Sequence, residues 1–63
     1  MEKINDLIIE IKNLADDFLI EASNNARGNK AAGRRARKIS QSLTKMFKDY
    51  RSLTIEAEKA PQE

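Results

Sequence analysis

The stretch Ser23-Asn24-Asn25-Ala26-Arg27-Gly28-Asn29 is the strongest break in this 63-residue chain before its last few residues. Gly28 suits the left-handed position that follows a helix, and Asn29 suits the N-cap of the next helix. No segment alternates apolar and polar residues with the period of two that is typical of a strand. The sequence therefore predicts one all-α domain over residues 1–63. We place its helices at about residues 2–26 and 30–59, the turn at residues 27–29 and a short tail at residues 60–63, with Pro61 preventing further helix.

The apolar residues of both predicted helices recur at helical spacing. In the second helix they are spaced alternately four and three residues apart, which is the a/d pattern of a packed helical seam. The members of this seam are Ala32, Ala36, Ile39, Leu43, Met46, Tyr50, Leu53 and Ala57. The first helix has a wider stripe that includes Ile4, Ile11 and Phe18, and it carries Ile9 and Ile20 on its far side. A helix with apolar residues on two sides is usually buried on two sides.

The short turn predicts that the two helices pack as an antiparallel hairpin. A single hairpin would leave Ile8, Ile9, Leu19 and Ile20 in water, so we expect dimerisation into a four-helix bundle or coiled-coil-like assembly. A larger oligomer, and a monomer with scattered exposed apolar residues, are the alternatives. The residues expected in the core or the dimer interface are Ile11, Phe18, Ile39, Leu43, Met46 and Tyr50. We expect the aromatic side chains, Phe47 among them, to pack there rather than stack on nucleic-acid bases.

The composition excludes most catalytic chemistry. The chain has no Cys, no His and no Trp, so it lacks the usual transition-metal ligands, a thiol nucleophile and a histidine base. Asp16 and Asp17 are adjacent and point about 100° apart on a helix. We therefore expect no enzyme, no metal or cofactor and no small-molecule substrate. The absence of a long apolar run and of a signal-peptide pattern predicts a cytoplasmic chain with no membrane partner.

Charge is strongly segregated along the chain, although the net charge is only +2. Residues 1–25 contain two basic and six acidic residues, a net charge of −4. Residues 26–51 contain nine basic residues and one acidic residue, a net charge of +8. Residues 52–63 contain one basic and three acidic residues, a net charge of −2. The basic segment coincides with most of the predicted second helix.

Most of these bases lie on one face of the second helix. At about 100° per residue, six of them cluster opposite the apolar seam, while Arg35 and Arg51 flank it. The six are Lys30, Arg34, Arg37, Lys38, Lys45 and Lys48. A charged outer face often serves only solvation, and Arg35 or Arg51 could pair with acids of the first helix. However, like charges one turn apart repel, and cations near a helix N-terminus are unfavourable. Such locally costly placement indicates an anionic partner.

The segment that follows the turn resembles a known family. Gly28-Asn29-Lys30-Ala31-Ala32-Gly33-Arg34-Arg35-Ala36-Arg37-Lys38, with Tyr50-Arg51 and Glu56-Ala57-Glu58-Lys59 further on, is similar to the chlamydial linker-histone-like family and to short histone-like proteins of the Bacteroidetes. The resemblance covers about residues 28–59 and corresponds to a helical domain without a Lys/Ala-rich tail. It implies a nucleoid-associated protein that binds duplex DNA without strong sequence preference.

The resemblance also implies candidate contacts with the DNA backbone. Lys30, Arg35, Arg37 and Lys38 stand within the matching motif, while Arg34, Lys45 and Lys48 join them from their position on the helix. Because charge alone does not separate the possible polyanions, two other partners stay open. One is an acidic protein that docks on the basic face of a dimeric interaction module, and the other is RNA bound by a dimer of hairpins.

Overall fold

The computed structural model describes residues 2–59, which form two α-helices. Helix α1 spans Glu2–Ala26 and helix α2 spans Lys30–Lys59, and the two pack against each other as a hairpin. No strand occurs between residues 2 and 59, so the prediction of an all-helical hairpin is confirmed. The chain is a rod with dimensions of 53 × 15 × 12 Å, one helix pair thick. The tail at residues 60–63, including the predicted helix stop at Pro61, lies outside the described residues.

The turn between the helices is a Schellman motif. Gly28 has a φ of 108°, in the left-handed region where a side chain would be strained. Its N–H donates to the Asn25 carbonyl at 2.9 Å, and the N–H of Asn29 donates to the Asn24 carbonyl at 3.1 Å. These two bonds satisfy carbonyls that the end of α1 would otherwise leave unpaired. The predicted role of Gly28 is thereby confirmed.

Helix α2 begins immediately after this motif because Asn29 caps it. The Asn29 Oδ1 atom accepts a hydrogen bond from the Ala32 N–H at 3.0 Å, as expected for an N-cap side chain. The Asn29 carbonyl accepts a hydrogen bond from Asn25 Nδ2 at 3.1 Å. A Cβ atom on Gly33 would lie only 2.5 Å from that same Nδ2 atom. Gly33 therefore leaves space for the Asn25 side chain, and the start of α2 is tied to the end of α1.

The core lies along the line where the helices face each other. Near the turn it consists of Ala32 and Ala36, whose small side chains let the helices approach closely. Leu43 is buried near the middle of α2, and Ile4 and Leu7 are buried at the open end of the hairpin. Four further residues expected in the core or at the dimer interface are half-buried, namely Ile11, Phe18, Ile39 and Met46.

Two aromatic side chains are more exposed than the sequence predicted. Tyr50, expected to be largely buried, is 39% exposed, and Phe47 is 45% exposed. The physical reason is that a single partner helix covers only one side of α2. A large ring at the margin of this two-helix interface extends past it into water. The expectation of burial for Tyr50 and of core packing for Phe47 is therefore not met within one hairpin.

Apolar side chains on α1 are also left uncovered. Ile8, Ile9, Leu19 and Ile20 are all exposed, as expected for a hairpin that stands alone. At about 100° per residue, Ile8 and Leu19 lie on one flank of the hairpin, whereas Ile9 and Ile20 lie on the outer side of α1. The hairpin thus has exposed apolar surface that the packing of its two helices does not cover.

Candidate nucleic-acid interface

Six cations lie on the face of α2 that is opposite its apolar seam, and we call this group the basic stripe. All of its members are exposed, so the expected exposure of Arg34, Arg37, Lys30 and Lys45 is confirmed. Its ends are eighteen residues apart, which at a rise of 1.5 Å per residue corresponds to about 27 Å. The basic stripe consists of Lys30, Arg34, Arg37, Lys38, Lys45 and Lys48.

Acidic side chains neutralise very little of the basic stripe. Lys45 Nζ lies 3.3 Å from Asp49 Oδ2, and both side chains are well exposed. Exposed pairs of this kind are worth only about 0–1 kcal/mol. Within residues 2–59, the other five members form no ion pair. The stripe therefore presents almost its full positive charge to solvent.

The start of α2 adds to this positive potential. The first turn of α2 contains no acidic residue. The N-terminal end of a helix carries a partial positive charge from its aligned peptide dipoles, which disfavours cations and favours anions nearby. Lys30 and Arg34 lie within the first two turns of α2, so an anion bound there would relieve their mutual repulsion.

Arg35 is placed differently from the basic stripe. Its Nε atom donates a hydrogen bond to Glu21 Oε2 of α1 at 3.0 Å, which is one of the pairings across the hairpin that the sequence allowed. The Glu21 side chain is only 22% exposed, and its Oε1 atom is buried without a hydrogen-bond partner. Periodicity alone does not distinguish Glu21 from the exposed Asp17 as the partner of Arg35. Arg51 is exposed and takes no part in an ion pair within residues 2–59.

Two hydroxyl groups near the stripe do not offer free donors. Ser40 Oγ donates to the Arg37 carbonyl at 2.7 Å, and Thr44 Oγ1 donates to the Ser40 carbonyl at 3.0 Å. Both hydroxyl protons are therefore used within the helix. A negatively charged ligand along this face would be held by the guanidinium and ammonium groups instead.

The acids of α1 lie away from the basic stripe. Asp6, Glu10 and Asp17 are exposed and share one flank of α1 at helical spacing. Lys12 Nζ donates a hydrogen bond to Asp16 Oδ2 at 2.8 Å, and this hydrogen bond and the attraction to the Asp16 carboxylate raise the pKa of Lys12. Because the stripe points away from α1, the segregation of charge seen along the sequence persists in the folded hairpin.

Metal binding and membrane insertion are two further questions for the part of the chain that the structure describes. No group of three or more carboxylate, imidazole or thiol side chains comes together there in a way that could hold a metal ion. Among the helices of residues 2–59, none combines the length and apolar character needed to cross a membrane.

Comparison with known proteins extends the resemblance seen at the turn. Neither the curated proteins nor the solved structures contain a match to this chain. The family described as histone H1-like protein Hc1, however, matches residues 1–60, which include all of α1 as well as α2. The sequence resemblance had rested on residues 28–59 alone, so α1 is now part of the match. The chain, with its two helices, this turn and this basic face, therefore belongs to the family described as histone H1-like protein Hc1.

Proposed function

We propose that this protein is a nucleoid-associated, histone-like protein that binds duplex DNA through the phosphates, without strong sequence preference. The observation that supports this most is the basic stripe, which is exposed and almost unneutralised on one side of a chain of the Hc1 family. Release of counterions from DNA drives the binding of such a surface. The arginines would hold phosphate oxygens with paired hydrogen bonds, and the lysines would act as point charges.

The length of the stripe allows contact with several phosphates of duplex DNA. A distance of about 27 Å along the helix axis corresponds to about eight base pairs, since each strand carries one phosphate per 3.4 Å of DNA axis. No large aromatic side chain lies within the stripe to stack on a base. Contacts of this kind position a protein on DNA and carry little sequence information.

We also propose that the protein acts as a homodimer. Ile8, Leu19 and Phe47 lie on the same flank of the hairpin at helical geometry, opposite the flank that holds the Glu21–Arg35 pair. A second hairpin on this flank would complete a four-helix bundle and remove the three side chains from water, which favours association. The two basic stripes would remain on the outside of that bundle, where each can reach DNA.

The proposed function is tested by measuring affinity for duplex DNA over a series of salt concentrations. Non-specific binding of about 10⁻⁴–10⁻⁶ M is expected at physiological salt. The logarithm of the binding constant should fall with the logarithm of salt at a slope of about 0.9 per phosphate contacted. If each protomer contacts about two to four phosphates, a dimer contacts about four to eight, and its slope is about four to eight times the value for one contact.

Substitutions in the stripe identify the surface responsible. Arg34→Ala or Arg37→Ala should weaken binding to all sequences alike and reduce the slope by about one per contact in each protomer. Arg34→Glu combined with Arg37→Glu should abolish binding with little loss of helix by circular dichroism, since both side chains are exposed. Lys12→Ala is the matched control, because it removes an exposed cation from α1, outside the stripe.

RNA and an acidic polypeptide complete the experiment as competitors. Duplex DNA should compete better than the polypeptide, whose binding to the same face would give a weak salt slope. If the protein binds RNA and not duplex DNA, RNA is its partner. If the wild-type protein binds no duplex DNA even at low salt, the DNA-binding proposal is wrong and the acidic-protein partner replaces it.

A further inference from the structure

The ion pair between Glu21 and Arg35 is the one that joins the two helices within residues 2–59. The carboxylate is the more buried partner, with a side chain that is 22% exposed against 54% for the arginine. One carboxylate oxygen accepts the hydrogen bond from Arg35, while the other is buried and has no hydrogen-bond partner. In the part of the chain that the structure describes, Arg35 is therefore the one side chain that hydrogen-bonds this carboxylate.

Arg35 also lies within reach of the basic stripe. It precedes Lys38 by three residues, so the two are neighbours on the surface of α2. Ala31, one turn before Arg35, and Ser42, one turn after Lys38, lie on the same side of α2 and have small side chains. The long arginine side chain consequently has room to turn from α1 towards a phosphate bound at Lys38. Turning the guanidinium towards that phosphate would break the hydrogen bond from its Nε atom to Glu21 Oε2, so the carboxylate and the phosphate compete for its orientation.

We propose that Glu21 is a positioning residue: it keeps Arg35 from contacting DNA and so lowers the affinity of the protein for DNA. This inference rests on the proposed DNA-binding function. If a phosphate captured Arg35, the Glu21 carboxylate, whose side chain is 22% exposed, would lose the one ion pair that it makes within residues 2–59, and leaving a partly buried charge unpaired is unfavourable. The exposed members of the stripe face no such penalty. DNA binding therefore leaves the Glu21–Arg35 pair intact, and Arg35 serves to align the helices.

The decisive variant is Glu21→Gln, which keeps the shape of the side chain and removes its charge. Arg35 is then free to bind a phosphate, so the salt slope should increase by about 0.9 per protomer. A slope that is larger by about 0.9 means that the affinity gained from one added contact grows about eightfold as the salt falls from about 1 M to about 0.1 M. At about 0.1 M salt, Glu21→Gln should therefore bind DNA up to about eightfold more tightly for each added contact. A role for Glu21 that is only structural would change the thermal stability and leave the slope as it is.

Asp17→Asn is the matched control. It removes one negative charge from the same helix, about one turn away, at a residue that is exposed and makes no ion pair in the described chain. It should raise the affinity slightly through the overall field, without a new contact and without a change in slope. The combined variant Glu21→Gln/Arg35→Ala should return the slope to the wild-type value, because the added contact requires Arg35.

Arg35→Ala in the otherwise wild-type protein gives a second, independent measurement. We expect Arg35→Ala to leave the salt slope unchanged, whereas Arg34→Ala should decrease it. Circular dichroism verifies that both variants are folded. The proposal is overturned if Arg35→Ala lowers the slope as much as Arg34→Ala does, or if Glu21→Gln and Asp17→Asn give the same slope. Failure of the DNA-binding proposal itself is recognised separately, as an absence of wild-type binding or an insensitivity to Arg34→Ala.

Discussion

Leu43→Ala is the substitution that tests the packing of the hairpin most directly. Leu43 is 8% exposed and lies near the middle of α2, on the face that meets α1. Loss of three buried carbon groups removes about 2.4 kcal/mol of transfer free energy, at about 0.8 kcal/mol per group. A cavity term adds to this, but a rod one helix pair thick can close around the gap. We therefore expect destabilisation of about 2–4 kcal/mol, within the usual range for such truncations.

That loss is large compared with the stability of the protein. A single core of this size supplies about 3–5 kcal/mol. The Leu43→Ala variant should therefore retain about 3 kcal/mol at most and about 1 kcal/mol at the middle of both ranges, where a measurable fraction is unfolded without denaturant. Urea titration followed by circular dichroism at 222 nm gives the free energy of unfolding and its change directly.

Phe47→Ala provides the comparison for this measurement. Phe47 is 45% exposed in the hairpin, so in a monomer its truncation should cost less than Leu43→Ala, by about 1 kcal/mol or more. In a dimer that covers Phe47 the cost should grow, and the unfolding midpoint should fall on dilution. A cost below about 1 kcal/mol for Leu43→Ala, together with a larger cost for Phe47→Ala at every concentration, would refute the described packing of α2 on α1.

Further outcomes are expected at the turn, at the apolar flank and in the pH response. Gly28→Ala should destabilise the protein by about 1–2 kcal/mol in thermal melts, because alanine is strained at the left-handed φ of this position. Asn29→Ala should cost about 0.5–2 kcal/mol by the same assay, since the N-cap hydrogen bond is lost. Sedimentation equilibrium should show a dimer for the wild-type protein at micromolar concentration and a monomer for the Ile8→Lys/Phe47→Lys variant. Affinity for DNA should be nearly constant from pH 5.5 to pH 8, because the chain contains no His or Cys; a steep change measured by fluorescence anisotropy would contradict this.

The turn was predictable from sequence because its residue types have few other uses. A glycine followed by asparagine between two apolar-periodic segments suits a left-handed C′ residue and an N-cap, and Gly28 and Asn29 take these roles. The exposure of Arg34 and Arg37 was equally predictable, because it depends only on the angle per residue within one helix. A turn or an exposed helix face that depends on one segment alone can be predicted from the sequence of that segment.

Features that depend on both helices were harder to predict. The space that Gly33 leaves for Asn25 follows from the distance between the helices, which small side chains such as Ala32 allow. The partial exposure of Tyr50 follows from the width of the interface rather than from its place in the seam. The choice of Glu21 rather than Asp17 as the partner of Arg35 depends on the register between the helices. None of these is determined by the periodicity of a single helix.

The hydrogen-bonded turn also affects how fast the chain folds. Its bonds link residues at most five positions apart, from Asn24 to Asn29, so they form with little loss of chain entropy. The interhelical contact between Glu21 and Arg35 joins residues fourteen positions apart, which is still a short loop. Folding can therefore proceed as a zipper from the turn towards Ile4, with the low contact order typical of rapid folding. Amide hydrogens should accordingly exchange fastest at the open end of the rod and slowest in the helical turns beside Ala32 and Ala36.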